Sequence, residues 1–405
     1  INITGSLLAG ASLDENTVNW TGYAANININ STDIVTFGGA GVENGKMVTR
    51  GGSAAATGKV NIDIAGGVNE LDLSINELSS IKSDSTAGFA ETGESIFAGT
   101  NNSEININAQ GQVEIDGLIQ AYDDKADISI DSSGLLLVNG YLQAENNLNL
   151  DGGTNADGYG LMLTRLVYKD SQGRLVNSSG FYINNEGEYV DDKGVKLAVD
   201  AQPVSSSEDI ANLTPISGGT LETGIGGNIN ISDEAGIVLS GQISPVDGNG
   251  VNAENITIIS ENNAGDVFID NAIGARNQVI IKGNNLYLLD YQETERLNSV
   301  RPNNALIQTY GSNTQTNDPS IQIHGTGEVI IARNKTPLNR ALVDSHKDIE
   351  VIANQLWVQG YLESRNSGDI GINVVSSATV YGLETADANL NVRAGIDSNW
   401  YLTSL

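Results

Sequence analysis

Aliphatic and polar residues alternate in short phrases along this chain, and the phrases return. Residues 104–121 read EININAQGQVEIDGLIQA, and residues 127–144 read DISIDSSGLLLVNGYLQA. A two-residue alternation puts Ile105, Ile107, Val113, Ile115, Ile119 and Ala121 on one face and Asn106, Glu114, Leu118 and Gln120 on the other. Each unit therefore predicts three very short strands separated by turns.

The first phrase recurs as INI at 105–107, ISI at 128–130, LNL at 148–150, INI at 229–231, ITI at 256–258, IQI at 321–323, IEV at 349–351, IGI at 370–372 and LNV at 390–392. The regular steps of 20 to 23 residues between neighbouring phrases are the mark of a solenoid. A glycine opens the third phrase at Gly117, Gly140, Gly241 and Gly360. No stretch sustains a 3.6-residue apolar period, and the leucine and asparagine spacing of leucine-rich repeats is missing. The expected fold is all-β: a right-handed parallel β-helix in which each period is one coil and like phrases stack. A lone coil would be unstable, because ordering its backbone outweighs six inward side chains, so each coil depends on its neighbours.

Three stretches break the rhythm. Residues 159–222 carry LVYKDSQGRLV, FYINNEGEYV and VDDKGVKLAV, which predict hairpins turning at Gln172-Gly173, Glu186-Gly187 and Lys193-Gly194. The expected organisation is a shaft over 1–158, a hairpin-rich excursion over 159–222, and a second shaft over 223–405 with insertions near 290–319 and 332–347. About fifteen coils at about 4.8 Å each would make a rod on the order of 70 Å long.

Composition narrows the function. Of 405 residues 50 are Asp or Glu and 20 are Lys or Arg, a net charge of −30, which disfavours nucleic acid and anionic lipid as partners. With 47 glycines and 6 prolines, the turns are made by Gly, Asn, Asp and Ser. There is no cysteine, so neither disulfides nor thiolate metal sites hold the fold. No apolar run reaches the roughly 20 residues that span a bilayer, so no membrane insertion is expected. Ile1 falls inside a strand-like phrase, as if the chain continued a longer one.

The paired phrases at 104–121 and 127–144 resemble the shaft repeats of filamentous haemagglutinin-like exoproteins over about two thirds of the chain. The resemblance implies a β-helical rod at the bacterial cell surface, exported through an outer-membrane transporter pore and serving adhesion or biofilm cohesion. It implies as partner a glycan or protein on a host or neighbouring cell. The Asn-Pro-Asn-Gly motif of that family's secretion module is missing. Open strand ladders at the ends of such a rod also favour end-to-end self-association, and a self-assembling sheath or matrix filament is the structural alternative.

A polysaccharide-degrading β-helix enzyme is the chemical alternative. It needs clustered Asp with Arg, Lys or His on one face, and His324 and His346 are the two histidines. No Asp-Asp pair or Arg-x-Lys stands at coil spacing around His324, and there is no G-x-S-x-G elbow, so no catalytic residue is assigned. No cofactor is expected. The acidic stretches 122–127, 151–158 and 190–194 offer at most weak calcium binding, because none matches an EF-hand or nonapeptide loop. Asn-x-Ser/Thr triplets begin at Asn19, Asn177, Asn230, Asn255 and Asn334 and arise by chance in an asparagine-rich chain. Tyr141 and Tyr361 follow turn glycines in outward slots, and Phe181, Tyr182 and Tyr189 crowd the excursion. These five are the expected binding residues, since exposed rings stack on sugars or partner proteins.

Overall fold

The computed structural model describes residues 1–405 except 4–5, 10–25, 39–45, 51–58, 68–69, 76–79, 85–102, 123–124, 156–157, 165–166, 178–180, 184–189, 198–203, 209–213, 245–251, 270, 289–305, 312–318, 332–341, 359–360, 365–367, 381–382, 386–389, 394–398 and 401–405. The chain is all-β with long parallel sheets, and among the described residues the one helical element is the short 3-10 turn Glu261–Asn263. Its residues fall into two compact units. One comprises Ile1–Leu161, Thr220–Glu234 and Asn252–Thr257, and the other Met162–Gly219, Ala235–Val251 and Ile258–Leu405.

In the first unit the strands Asn26–Ser31, Lys59–Ile64, Glu104–Ala109, Asp127–Ser132, Asn147–Gly152 and Asn228–Asp233 pair in succession, every pair parallel. A second series runs through Val35–Phe37, Leu71–Ile75, Gln112–Ile115 and Leu136–Val138, and a third through Leu118–Tyr122, Tyr141–Ala144 and Thr220–Thr223. The inward positions form columns. Ile62, Ile107, Ile130, Leu150 and Ile231 stand in register on five successive strands, all of them buried. Ile105, Ile107, Val113, Ile115, Ile119 and Ala121 are fully buried, as alternation predicts. Register survives the step from Leu150 to Ile231, because burying one face fixes it against a one-residue slip.

The corner glycines are required by close approach. A Cβ on Gly140 would stand 1.9 Å from the carbonyl oxygen of Gly117 in the preceding coil. In the second unit a Cβ on Gly241 would stand 2.3 Å from that of Gly219.

The second unit stacks Gln278–Gly283, Ile321–Gly325, Ile349–Val358, Ile370–Val380 and Leu390–Arg393 in the same parallel manner. Ile349–Val358 and Ile370–Val380 are long, with 10 and 11 residues, because the first two strands of the coil run together. Ile349–Val358 pairs along its length with both Ile321–Gly325 and Glu328–Ile331. The stretches expected as insertions contain ordinary strands. Leu306–Thr309 pairs in register with Ala272–Ala275, and Leu342–Ser345 pairs with Leu306–Thr309, each turning a buried aliphatic inward at Ile307 and Val343. Most of the remainder of those two stretches lies outside the described residues.

The second unit also holds a four-stranded antiparallel sheet in the order Tyr182–Ile183, Leu175–Asn177, Val167–Lys169, Thr214–Ser217. It spans 167–217, narrower than the expected 159–222, since Tyr159–Leu163 and Thr220–Thr223 belong to the parallel series. Two of the expected turns are present, with Gly173 and Gly194 at φ of 78° and 81°. The third, at Glu186-Gly187, lies outside the described residues.

Candidate functional site

Parallel strands about 4.8 Å apart bring equal outward side chains within hydrogen-bonding distance of one another. In the first unit this produces amide ladders. Asn61 Nδ2 donates to Asn28 Oδ1 at 2.7 Å, and Asn106 Nδ2 to Asn61 Oδ1 at 3.1 Å. Asn230 donates to Asn149 at 2.9 Å, Asn228 to Asn147 at 3.0 Å and Asn255 to Asn228 at 2.8 Å. Each donates to its predecessor in the chain, so one amide's oxygen is another's partner and the row is self-consistent.

The next outward row is more acidic: Asn30, Asp63, Asn108, Asp131, Asp151 and Ser232 stand in register on successive strands. Asn108 Nδ2 donates to Asp63 Oδ1 at 2.8 Å, and Ser232 Oγ to Asp151 Oδ1 at 2.9 Å. Asp131 and Asp151 place two carboxylates side by side. Burial first, and then the Asp151 charge, push the Asp131 carboxyl above its ordinary pKa.

Where this row meets the turns, at 30–32, 63–65, 108–110 and 131–133, an open groove of about 610 Å³ runs across four strand ends. Asn30, Asp63, Asn108, Gln110, Asp131 and Ser133 supply amides, carboxylates and a hydroxyl to its lining, and Ile64 and Ala109 supply apolar surface. Among the described residues that line it there is no Lys, Arg, His or aromatic side chain. Sequence reasoning did not bring these residues together, because their steps along the chain, 33, 45 and 23, follow no single period.

The expected binding tyrosines are placed elsewhere. Tyr141 is half-buried, and its hydroxyl hydrogen-bonds the Glu222 carboxylate. Phe181 is half-buried and bridges Ser205 in antiparallel fashion. Tyr182 is a correction: only 2% exposed, it packs with Val176 and Val190 in the core of the antiparallel sheet, with Tyr168 and Val204 against them. A small insert that builds its own core needs its largest ring inside, so a crowding of rings in the excursion does not by itself mean exposure. Tyr189 and the side chain of Tyr361 lie outside the described residues.

Two carboxylates of the acidic stretches, Asp127 and Asp191, are engaged by protein donors. Asp127 Oδ1 accepts from Asn146 Nδ2 at 2.8 Å and from the amide and Nδ2 of Asn147 at 2.9 and 3.0 Å. Asp191 Oδ1 accepts the amides of Lys193 and Val195 at 2.9 and 2.8 Å. Among the described residues no group of three or more His, Asp or Glu is placed to hold a metal ion.

His324 Nε2 lies 2.7 Å from Glu350 Oε2, and the register sets Lys282 and Ile352 beside it. His346 Nδ1 lies 3.0 Å from Thr309 Oγ1, and burial, then Lys347, lowers its pKa. The second unit also carries an outward row that the sequence did not reveal: Val238, Phe268, Tyr287, Ile330 and Trp357 in register. The rings of Phe268 and Tyr287 stack with centroids 4.8 Å apart and planes at 14°. Burial, with Asp266 and Glu328 adding to it, raises the Tyr287 hydroxyl pKa. Phe268, Tyr287 and Trp357 each stand between two inward aliphatics, as in VFI and LYL, which read as plain core phrases.

No helix among the described residues is long and apolar enough to cross a membrane. No protein-family model matches the chain, and no curated protein or solved structure matches it.

Proposed function

We propose that the chain is a right-handed parallel β-helical segment of a bacterial surface adhesin of the filamentous haemagglutinin type, non-catalytic and displayed outside the cell. The observation that carries this reading is the unbroken register of inward columns and outward amide ladders through successive parallel strands. Such repetition makes a stiff support, and parallel crossover connections within one sheet are almost always right-handed. Its outward polar groups are largely spent on one another, which suits a support better than an active site. Binding then falls to local departures from the ladder, on a glycan or protein of a host or neighbouring cell.

The test is direct attachment. Beads coated with the chain should adhere to epithelial cells or to biofilm-forming bacteria in saturable fashion, and soluble chain should compete. Beads that attach no better than those coated with an unrelated acidic protein would remove the adhesive reading.

A further inference from the structure

We propose that the groove in the first unit is a subsite for a neutral oligosaccharide, laid along the strand ladder and held by Asn30, Asp63, Asn108, Gln110, Asp131 and Ser133. The inference rests on the adhesive reading and names the ligand class of one binding site within it.

Size comes first. The groove's volume of about 610 Å³ lies within the roughly 300–1,000 Å³ of small-molecule sites. Four strand ends at about 4.8 Å spacing give it a length of about 14 Å, suited to a short chain rather than a single sugar.

The lining selects the chemistry. Carboxylates at Asp63 and Asp131 accept from hydroxyls in charge-assisted bonds, while the amides of Asn30, Asn108 and Gln110 both donate and accept. A vicinal diol matches that alternation, donating to a carboxylate with one hydroxyl and pairing with an amide through the other. Sulfated, phosphorylated or uronic chains meet two carboxylates and a net charge of −30. An apolar ligand would strip water from the amides and carboxylates without replacing it.

Part of the site is arranged before a ligand arrives. Asn108 gives an N–H to Asp63, which fixes both side chains against each other. With no ring among the described lining residues to stack on a sugar, a single site binds weakly, and many copies on one surface supply the avidity.

The experiment uses the full chain. Short manno-, gluco- and galacto-oligosaccharides are titrated by NMR alongside heparin- and polygalacturonate-derived chains of matched length. At least one neutral series should bind and the anionic chains should not. Asp63→Ala and Asn108→Ala should each weaken binding by about 10- to 100-fold, the loss of a hydrogen bond to a charged group. Ser133→Trp, which fills the groove and leaves the Asp63–Asn108 pair intact, should abolish binding with the melting temperature retained. Failure of every neutral series to bind, equal binding of anionic chains, or indifference to all three variants would overturn the proposal. Cell attachment measured in parallel separates the two readings. Variants that lose the sugar but still attach leave adhesion standing through another surface, whereas a wild-type chain that binds sugar but attaches to nothing removes the adhesive reading alone.

Discussion

The guanidinium of Arg174 lies 4.1 Å from the centroid of the Tyr182 ring, while its Nε donates to Asp170 Oδ2 at 2.6 Å and its Nη1 to the Asp192 carbonyl at 3.2 Å. One cation thus ties its own turn, a buried ring and the neighbouring hairpin together. The antiparallel insert holds its shape through this junction as well as through its small apolar core.

Replacing Arg174 tests the junction. A lysine keeps the charge but cannot reproduce the planar fork that engages Asp170 and covers the ring. Arg174→Lys should raise amide hydrogen exchange across 167–197 by roughly tenfold, as expected for loss of a forked charged pair. Exchange in Glu104–Ala109 and Asp127–Ser132 should not change. Equal protection in the insert of both proteins would show that the core alone is sufficient.

Acid should loosen the same insert first. Burial would raise the Asp170 carboxyl, but the Arg174 amide and guanidinium and the Gln172 amide more than offset it, leaving the pKa below its ordinary value. The amides of Val195 and Lys193 lower Asp191 in the same way. A lowered folded-state pKa means the ionised form stabilises the turn. That contribution is full above the ordinary Asp value of about 3.9 and disappears as pH falls through the lowered one. Amide protection at Arg174 and Val195 should therefore hold at pH 5 and fall away on the acid side of about pH 4. Protection that is flat with pH down to global unfolding would contradict the assignment.

The stacked core was legible in the sequence because inward residues such as Ile105, Val113 and Ile119 obey a strict alternation that one buried face enforces. Tyr182 was not legible, since whether a ring in an insert faces in or out depends on partners such as Val190 and Val204 that no period links to it. Leu306–Thr309 was hidden by flanking text with no alternation, although the strand itself is in register. The groove was hidden for another reason: Asn30 and Asp131 meet only after several irregular coil lengths have been folded away.

The Asp131–Asp151 contact is a local fault in an otherwise complementary row. The Asp131 pKa is raised, by burial and then by Asp151, so its ionised form costs stability at neutral pH and the cost is relieved as pH falls through the raised value. Asp131→Asn removes the repulsion and supplies an amide whose two N–H groups can donate to the Asn108 oxygen on one side and to the Asp151 carboxylate on the other. The variant should be more stable at pH 7 by a few tenths to about 1 kcal/mol, small because Asp131 stays largely open to water and Asp151 is half-exposed. The gain should shrink toward pH 4. Thermal melts at both values check it, and a gain that is constant with pH would place the effect in packing instead of charge.

The staple at Asp127 recurs in the second unit. Asp266 Oδ1 accepts from Asn284 Nδ2 at 3.2 Å and from the amide and Nδ2 of Asn285 at 3.1 and 2.8 Å, the same three-donor arrangement that Asp127 makes with Asn146 and Asn147. The signal was present in the sequence as Asn-Asn-Leu at 146–148 and 284–286, each following an Asp by 19 and 18 residues to its first Asn. Removing the carboxylate leaves the half-buried donors of one coil without their partner in the next. Asp127→Ala should cost about 1.5–3 kcal/mol, the range for hydrogen bonds to a charged group. Asn146→Ala removes one side-chain donor and leaves both Asn147 donors on the carboxylate, so it should cost less. The double variant should fall short of the sum by about 1 kcal/mol, the coupling expected of direct contact. Because stacked repeats open in pieces, native-state hydrogen exchange of 127–150 is the proper measurement for each variant. Additive effects, or an Asp127→Ala chain as well protected as the parent, would mean that aliphatic stacking holds adjacent coils without the staple.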